Sequence, residues 1–162
     1  MATNVFVSFD HDDARQVAGF RSLKANPKYA LDFQDHSLRE PVTDRSGRSI
    51  KYPPSDPRSQ RVRDEIRKKF DRASKLVVLI GADTHKSEWV DWEVKTFVEM
   101  KRPLAGEETW KRVRGMRLKG HETAPLPPAL YSDQYGRARS TATLAWDPDQ
   151  LDRWLDEDLP DR

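Results

Sequence analysis

Lys75-Leu76-Val77-Val78-Leu79-Ile80 is followed by Gly81 and, six residues later, by Ser87-Glu88-Trp89-Val90-Asp91-Trp92-Glu93-Val94. The first run is the strongest strand signal in the chain and reads as apolar throughout. A strand with one wet face alternates polar and apolar residues, whereas a parallel strand covered on both faces does not. The second run opens a helix over Ser87 to Lys101, with Val90, Val94 and Phe97 on one face. Ser87 suits the N-cap, and Glu88 and Asp91 suit the first turns, where the helix dipole favours acids. Gly81 to Lys86 is the connecting loop. A buried strand leading directly into an amphipathic helix is half of a βαβ unit.

The rest of the chain extends this pattern outward. Asn4 to Phe9 predicts a first buried strand, and Asp10 to Asp13 an acidic loop. Val17, Phe20 and Leu23 recur at helical spacing over Ala14 to Lys24, and Asn26-Pro27 stops that helix. Tyr29 to Phe33 predicts a second strand. Asp35 to Pro57 is a long polar connection, a length that points to a functional or mobile loop. Arg58 to Ala73 predicts an amphipathic helix carrying Val62, Ile66, Phe70 and Ala73. Beyond Pro103 the expected elements are a helical piece over Glu107 to Val113 and a short strand over Gly115 to Lys119. Pro125 to Pro128 should be rigid and extended. A last strand is expected over Thr141 to Trp146. Asp147-Pro148 starts a terminal helix that docks through Leu151, Trp154 and Leu155. The order β-α-β-α-β-α, then β-β-α, predicts an α/β, flavodoxin-like three-layer sandwich. Its central sheet is mostly parallel with about five strands. Residues 1–162 read as one domain, without repeats.

Composition narrows the function. With 162 residues the chain can bury a core, and with no cysteine it has no disulfide, thiolate nucleophile or thiolate metal site. No apolar run approaches the roughly 18 residues of a membrane span, and Met1 to Asn4 do not open a secretion signal. A cytoplasmic location without membrane contact is expected. Charged residues make up 35% of the chain, yet the formal net charge is only +2. The most basic stretch, Arg58 to Arg72, is diluted by Asp64, Glu65 and Asp71, so it reads as a solvated helix face and not a nucleic-acid surface.

Open parallel sheets bind ligands beyond the C-terminal ends of their strands. That edge would collect Ser8, Phe9, Asp10, the Asp35–Pro57 loop and Gly81 to Trp89. Glu93 lies at i+4 from Trp89, on the same helix face. A carboxylate held against aromatic and apolar surface has a raised pKa and can stabilise a cation or bond a sugar hydroxyl. Most glutamates at a helix flank are instead solvated or salt-bridged. Asp10, Asp12 and Asp13 could hold Mg²⁺, but helix capping is the commoner role, and no metal site is expected. His11, His36, His85 and His121 are scattered, without zinc spacing. There is no glycine-rich nucleotide cradle, and Ser8 lacks a nucleophile elbow.

Val5-Phe6-Val7-Ser8-Phe9-Asp10 resembles the first-strand box of TIR (Toll/interleukin-1 receptor) domains. Ser87-x-Trp89-Val90-x-x-Glu93 followed by Val94 resembles the TIR helix motif of Ser, Trp and Glu. Lys75 to Ile80 is similar to the third TIR strand. Phe6-Val7-Ser8-Phe9-Asp10-His11-Asp12-Asp13 and Leu126-Pro127-Pro128-Ala129-Leu130 resemble the ThsB-type TIR-like proteins of Thoeris antiphage defence. The resemblance covers Asn4 to Lys101 and is looser beyond.

It implies an enzyme that cleaves NAD, releases nicotinamide and makes a (cyclic) ADP-ribose-type signal. It makes Glu93 the catalytic residue, with Ser8, Phe9, Asp10, Ser87 and Trp89 binding substrate beneath the Asp35–Pro57 loop. NAD would be substrate, with no separate cofactor. Self-association through TIR surfaces and a separate effector protein that senses the product are implied partners. Trp92, bulky and next to Glu93, and Pro103 and Gly106, where a fourth strand is expected, depart from the family pattern. Two alternatives stand beside the enzyme. One is a non-enzymatic TIR-like adaptor module. The other is a receiver-like phosphoacceptor domain, which Asp12 and Asp13 favour. Against the receiver, Ile80-Gly81-Ala82 offers no Asp at the third strand's end, and Trp146-Asp147 stands where a Lys is needed.

Overall fold

The computed structural model describes residues 3–10, 18–20, 22, 33–35, 46, 52–101, 111–131 and 143–157. Strands β1 (Thr3–Ser8), β2 (Phe33–Asp35), β3 (Lys75–Ile80), β4 (Val113–Arg117) and β5 (Thr143–Leu144) form one sheet. Their order is β2-β1-β3-β4-β5, and each neighbouring pair is parallel. Helices α1 (Gln60–Arg72), α2 (Glu88–Lys101) and α3 (Pro148–Asp156) cover it, and residues 18–20 and 22 are also helical. This is the doubly wound, flavodoxin-like arrangement the alternation of elements predicts.

The reason lies in β3, all six residues of which are buried. Leu76, Val78 and Ile80 join Phe6, Ile66, Phe70, Val90, Val94 and Phe97 in one cluster. Val77 and Leu79 join Val5, Val7, Phe20, Met116, Leu151, Trp154 and Leu155 in the other. The period-two geometry of a strand divides one apolar run between two faces, and each face then needs a helical layer. Helices α1 and α2 form one layer. Helix α3 and the helical residues around Phe20 form the other. Edge-on aromatic contacts tie the first layer together, with Phe6 to Phe70 at 4.7 Å and Phe70 to Phe97 at 5.5 Å between ring centroids.

Helix ends follow local chemistry. Asp56 accepts from the Arg58 backbone N–H and precedes a 3-10 turn, Pro57–Ser59, so α1 starts at Gln60, two residues later than expected. Asp147 accepts from the Asp149 N–H, and Pro148 sits at the start of α3, as expected. Leu151, Trp154 and Leu155 are buried, also as expected. Gly120, the only described non-helical turn residue with positive φ, 88°, closes the bend after Leu118.

Some expectations need correction. Strand β4 begins at Val113, two residues before the expected start, and Lys111 and Arg112 form a short 3-10 turn. The helical reading of Glu107 to Val113 therefore fails at Val113 alone among the described residues, while 107–110 lie outside them. Gly115, inside the strand, obscured where it starts. A Cβ there would stand 2.9 Å from Ile80 Cδ1 and 3.0 Å from Leu130 Cδ1, so the packing needs the residue that strand propensity disfavours. Pro128 does not continue an extended segment but opens the 3-10 turn Pro128–Leu130. The second strand is seen at Phe33–Asp35; 29–32 lie outside the described residues, as do Val17, Leu23, Pro103, Gly106, 36–45 and 47–51. Of the expected last strand, Thr143 and Leu144 pair with β4. None of the described helices is long and apolar enough to cross a membrane.

Lys75 is the main surprise, because β3 is not apolar throughout. Its side chain is buried and its Nζ donates to the carbonyls of Trp154, Leu155 (3.1 Å) and Glu157 (3.2 Å). An ammonium at a helix C-terminus satisfies carbonyls that have no partner inside the helix. Burial pushes this ammonium down to about 8, opposed by nearby Glu157. Lys75→Met keeps the volume and removes the donor. It should lower stability by about 1–3 kcal/mol in urea unfolding; an unchanged midpoint would show that the carbonyls need no such partner.

Candidate active site

In a β2-β1-β3-β4-β5 sheet the direction of winding reverses between β1 and β3, and a crevice opens beyond their C-terminal ends. Ser8 ends β1 there, paired in register with Val78 of β3. Gly81 leaves β3 and donates its N–H to Thr84 Oγ1 at 2.7 Å, which sets the 3-10 turn Thr84–Lys86. Ser87 Oγ then accepts from the Val90 N–H at 3.2 Å, the N-cap geometry expected of it. The Ser87 hydroxyl is thus engaged in starting α2. These short-range bonds aim α2 across the end of β1.

Glu93 sits in the second turn of α2 and is only 8% exposed. Val90, Val94 and Phe97 around it on the helix have no exposure at all. Burial pushes its carboxyl up to about 8, and the nearby Ser8 hydroxyl opposes that rise. Desolvation dominates because no charged side chain among the described residues contributes to its titration. The Ser8 Oγ is buried and completes no hydrogen bond within standard distance and angle limits. The two groups therefore stand close enough to interact electrostatically, short of a well-formed bond. Leaving a hydroxyl in this condition costs about 1–3 kcal/mol.

Trp89 is half-buried one turn earlier. Its Nε1–H donates to the Tyr52 carbonyl at 3.0 Å. Ser59 Oγ donates to the carbonyls of Tyr52 (3.2 Å) and Pro53 (2.8 Å), and Arg63 to those of Pro54 and Asp56 (2.9 Å). The Arg58 guanidinium lies 3.6 Å from the centre of the Tyr52 ring. The end of the long connection is thereby strapped to the first turns of α1 and α2. Sequence reasoning missed Tyr52, Ser59 and Arg63 as strap residues. The dense prolines at Pro53, Pro54 and Pro57 were the available signal, since they restrict the backbone and remove competing donors.

Trp92 does not crowd Glu93. Its ring meets Trp89 edge-on at 5.6 Å, and Arg67 lies over it at 5.3 Å, on the outer side of the helix. There it lines a surface groove of about 610 Å³ with Arg63, His85, Asp91 and Lys95, and this groove does not reach Glu93. Phe9 also lies apart, packed on the Val5 and Val7 cluster of the opposite face. So the fold brings Ser8 and Glu93 together, keeps Trp89 one turn earlier on the same helix against Tyr52 and Trp92, and leaves Phe9 on the other side of the sheet. Asp10 follows β1 half-buried, and Asp12 and Asp13 lie outside the described residues. Among the described residues, no cluster of His, Asp or Glu could hold a metal ion. Asp83, the carboxylate that follows β3, is exposed and paired with Lys86 at 3.3 Å.

A parallel sheet flanked by helices, with Ser8 and Glu93 meeting at its switch point, defines a TIR-like domain. The family description "Thoeris protein ThsB, TIR-like domain" matches residues 6–114, and the chain belongs to that family. Among solved structures, the chain is similar to one titled "Structure of the activated Roq1 resistosome directly recognizing the pathogen effector XopQ (TIR domains)". Identity there is 16%, the TM-score 0.43, and the match covers 72% of this chain and 57% of that chain. No curated protein sequence matches the chain.

The Glu93 titration has a stability consequence. The folded carboxyl titrates at about 8 and the free side chain at 4.5, so the folded state holds the proton more tightly between those values. The resulting stability is complete below about 4.5 and is lost as pH rises through 8. Compared with Glu93→Gln, which does not titrate, the wild type should lose on the order of a few kcal/mol across that window in urea unfolding. The comparison cancels Lys75, present in both. A gap that stays constant with pH would mean that Glu93 is ionised in the fold.

Proposed function

We propose that the protein is an NAD-cleaving enzyme of antiphage defence, with Glu93 as its catalytic residue. The observation that carries this reading is a buried carboxyl, unpaired with any described cation, at the switch point of a doubly wound sheet in a chain of the ThsB TIR-like family. Structural ion pairs do not look like this, because they place a cation beside the acid.

The reaction follows from the charge. In NAD the nicotinamide is a ring cation joined to ribose C1′. Cleavage of that bond sends its electron pair to the ring nitrogen, nicotinamide leaves neutral, and positive charge moves to the sugar. A carboxylate beside C1′ stabilises that charge and accepts from the ribose hydroxyls. Before substrate binds, burial keeps the Glu93 proton on, and the incoming ring cation favours its release. Attack by water on C1′ gives ADP-ribose; attack by a nucleophile within the same molecule gives a cyclic isomer, which requires water to be excluded. Trp89 and its Tyr52 strap form one wall of this site, with Ser8 at its base. The product would act as a signal on a separate effector, and self-association through TIR surfaces would assemble the active form.

The decisive measurement is NAD consumption with mass-spectrometric product analysis, in lysates of phage-infected cells expressing wild type or Glu93→Gln. Wild type should yield nicotinamide plus an ADP-ribose isomer and the variant neither. If neither lysate consumes NAD beyond the background of non-expressing cells, an adaptor role is the better account. For active protein, kcat/KM should climb as pH rises through about 8, since the free enzyme must lose the Glu93 proton. Trp89→Phe keeps an aromatic ring but removes the indole donor to the Tyr52 carbonyl. With Ser59 Oγ still donating to that carbonyl, only the indole donor is lost, so the variant should raise KM for NAD about 3- to 10-fold with the melting temperature nearly unchanged; a collapse of the melting temperature would make Trp89 a core residue instead.

A further inference from the structure

Ser8 has one property that substrate contact does not explain. Strand β1 sends Val5 and Val7 into one core cluster and Phe6 into the other. The same alternation turns Ser8 to the Phe6 side, toward α2. Its backbone is held in the ladder opposite Val78, and its side chain is 1% exposed. Two rotatable bonds, Cα–Cβ and Cβ–Oγ, therefore decide where its single O–H points. That hydroxyl lies beside Glu93 and completes no hydrogen bond among the described residues. An alanine would fill the position without leaving an unmet polar group. A hydroxyl kept there against the packing is suited to a different state of the site.

The carboxyl supplies that state. While Glu93 holds its proton it is both donor and acceptor, and Ser8 gains little from it. Once ionised it is acceptor only and needs donors where burial leaves it little solvent. We propose that Ser8 is a positioning residue, whose O–H donates to the Glu93 carboxylate when that group ionises and so fixes the oxygen that faces the ribose. The inference rests on the reading of Glu93 as the catalytic residue. The proton lost by Glu93 leaves to solvent; Ser8 keeps its own and attacks nothing. Other charged groups nearby point elsewhere. Asp10 follows β1, Arg63 and Arg67 on α1 and Glu88, Asp91 and Lys95 on α2 line the outer groove, and β3 brings none but Lys75 at its far end. None of them enters the Glu93 titration, where burial and Ser8 are the two causes.

The test is a ¹³C NMR titration of the Glu93 carboxyl in the full chain, assigned by its loss in Glu93→Gln. Ser8→Ala should fold with an unchanged or higher melting temperature and move the midpoint up by about one pH unit or more. Ser8→Thr keeps the hydroxyl and should restore the wild-type midpoint. In NAD turnover, Ser8→Ala should lower kcat about tenfold with KM little changed, and Ser8→Thr should recover it. A midpoint that Ser8→Ala leaves in place overturns the proposal. If the wild type itself cleaves no NAD, the catalytic reading falls, and the titration still decides whether Ser8 serves as the donor.

Discussion

Six residues without access to water, Lys75 to Ile80, are the constraint from which the other layers follow. A strand buried on both faces cannot lie at the edge of a sheet, so it needs a neighbour on each side, and β1 and β4 supply them. It also needs cover above and below. Helices α1 and α2 meet that need on the Val78 face, and α3 with the segment around Phe20 meets it on the Val77 face. Right-handed crossovers between parallel strands then leave a reversal of winding between β1 and β3. The crevice follows from the same burial that makes the core.

Burial also sets the chemistry. Glu93 is one residue from Val94 on a helix whose inner face belongs to the core, so its carboxyl is drawn out of water with no cation among the described residues to meet it. Removing solvent from a carboxylate raises its pKa more effectively than any surface arrangement can. Lys75 illustrates the opposite resolution at the other end of the sheet. It is buried as well, but three carbonyls at the end of α3 receive its ammonium, so its role is structural. These two buried titratable groups thus differ in partners, and the partners separate a site from a fastening.

Much of the fold was legible because it depends on periodicity. The β3 run, the α2 stripe of Val90, Val94 and Phe97, and the Asp147-Pro148 start of α3 all rest on local spacing or capping. The unreadable parts rest on contacts between distant residues. Strand β4 was displaced because Gly115 answers to Ile80 and Leu130, which the local sequence does not reveal. Lys75 passed as part of an apolar run because its partners lie about eighty residues away, at Trp154 to Glu157. The strap of Tyr52 onto Trp89 was equally hidden, spanning 37 positions between a backbone carbonyl and an indole.

The site divides in the same way. The sequence by itself determined the class of sheet, the helix that carries Glu93, and Ser87 as its cap, since each depends on residues within one or two turns of one another. Only the tertiary structure decided that Glu93 loses its water, that Ser8 stands beside it, and that Phe9 goes to the other face. Those facts depend on how β1 and α2 cross, and a one-residue alternation along β1 separates Ser8 from Phe9. Trp92 is the clearest case. Adjacent to Glu93 in the chain, it is turned about 100° around the helix into the outer groove, because neighbours in a helical sequence face different ways.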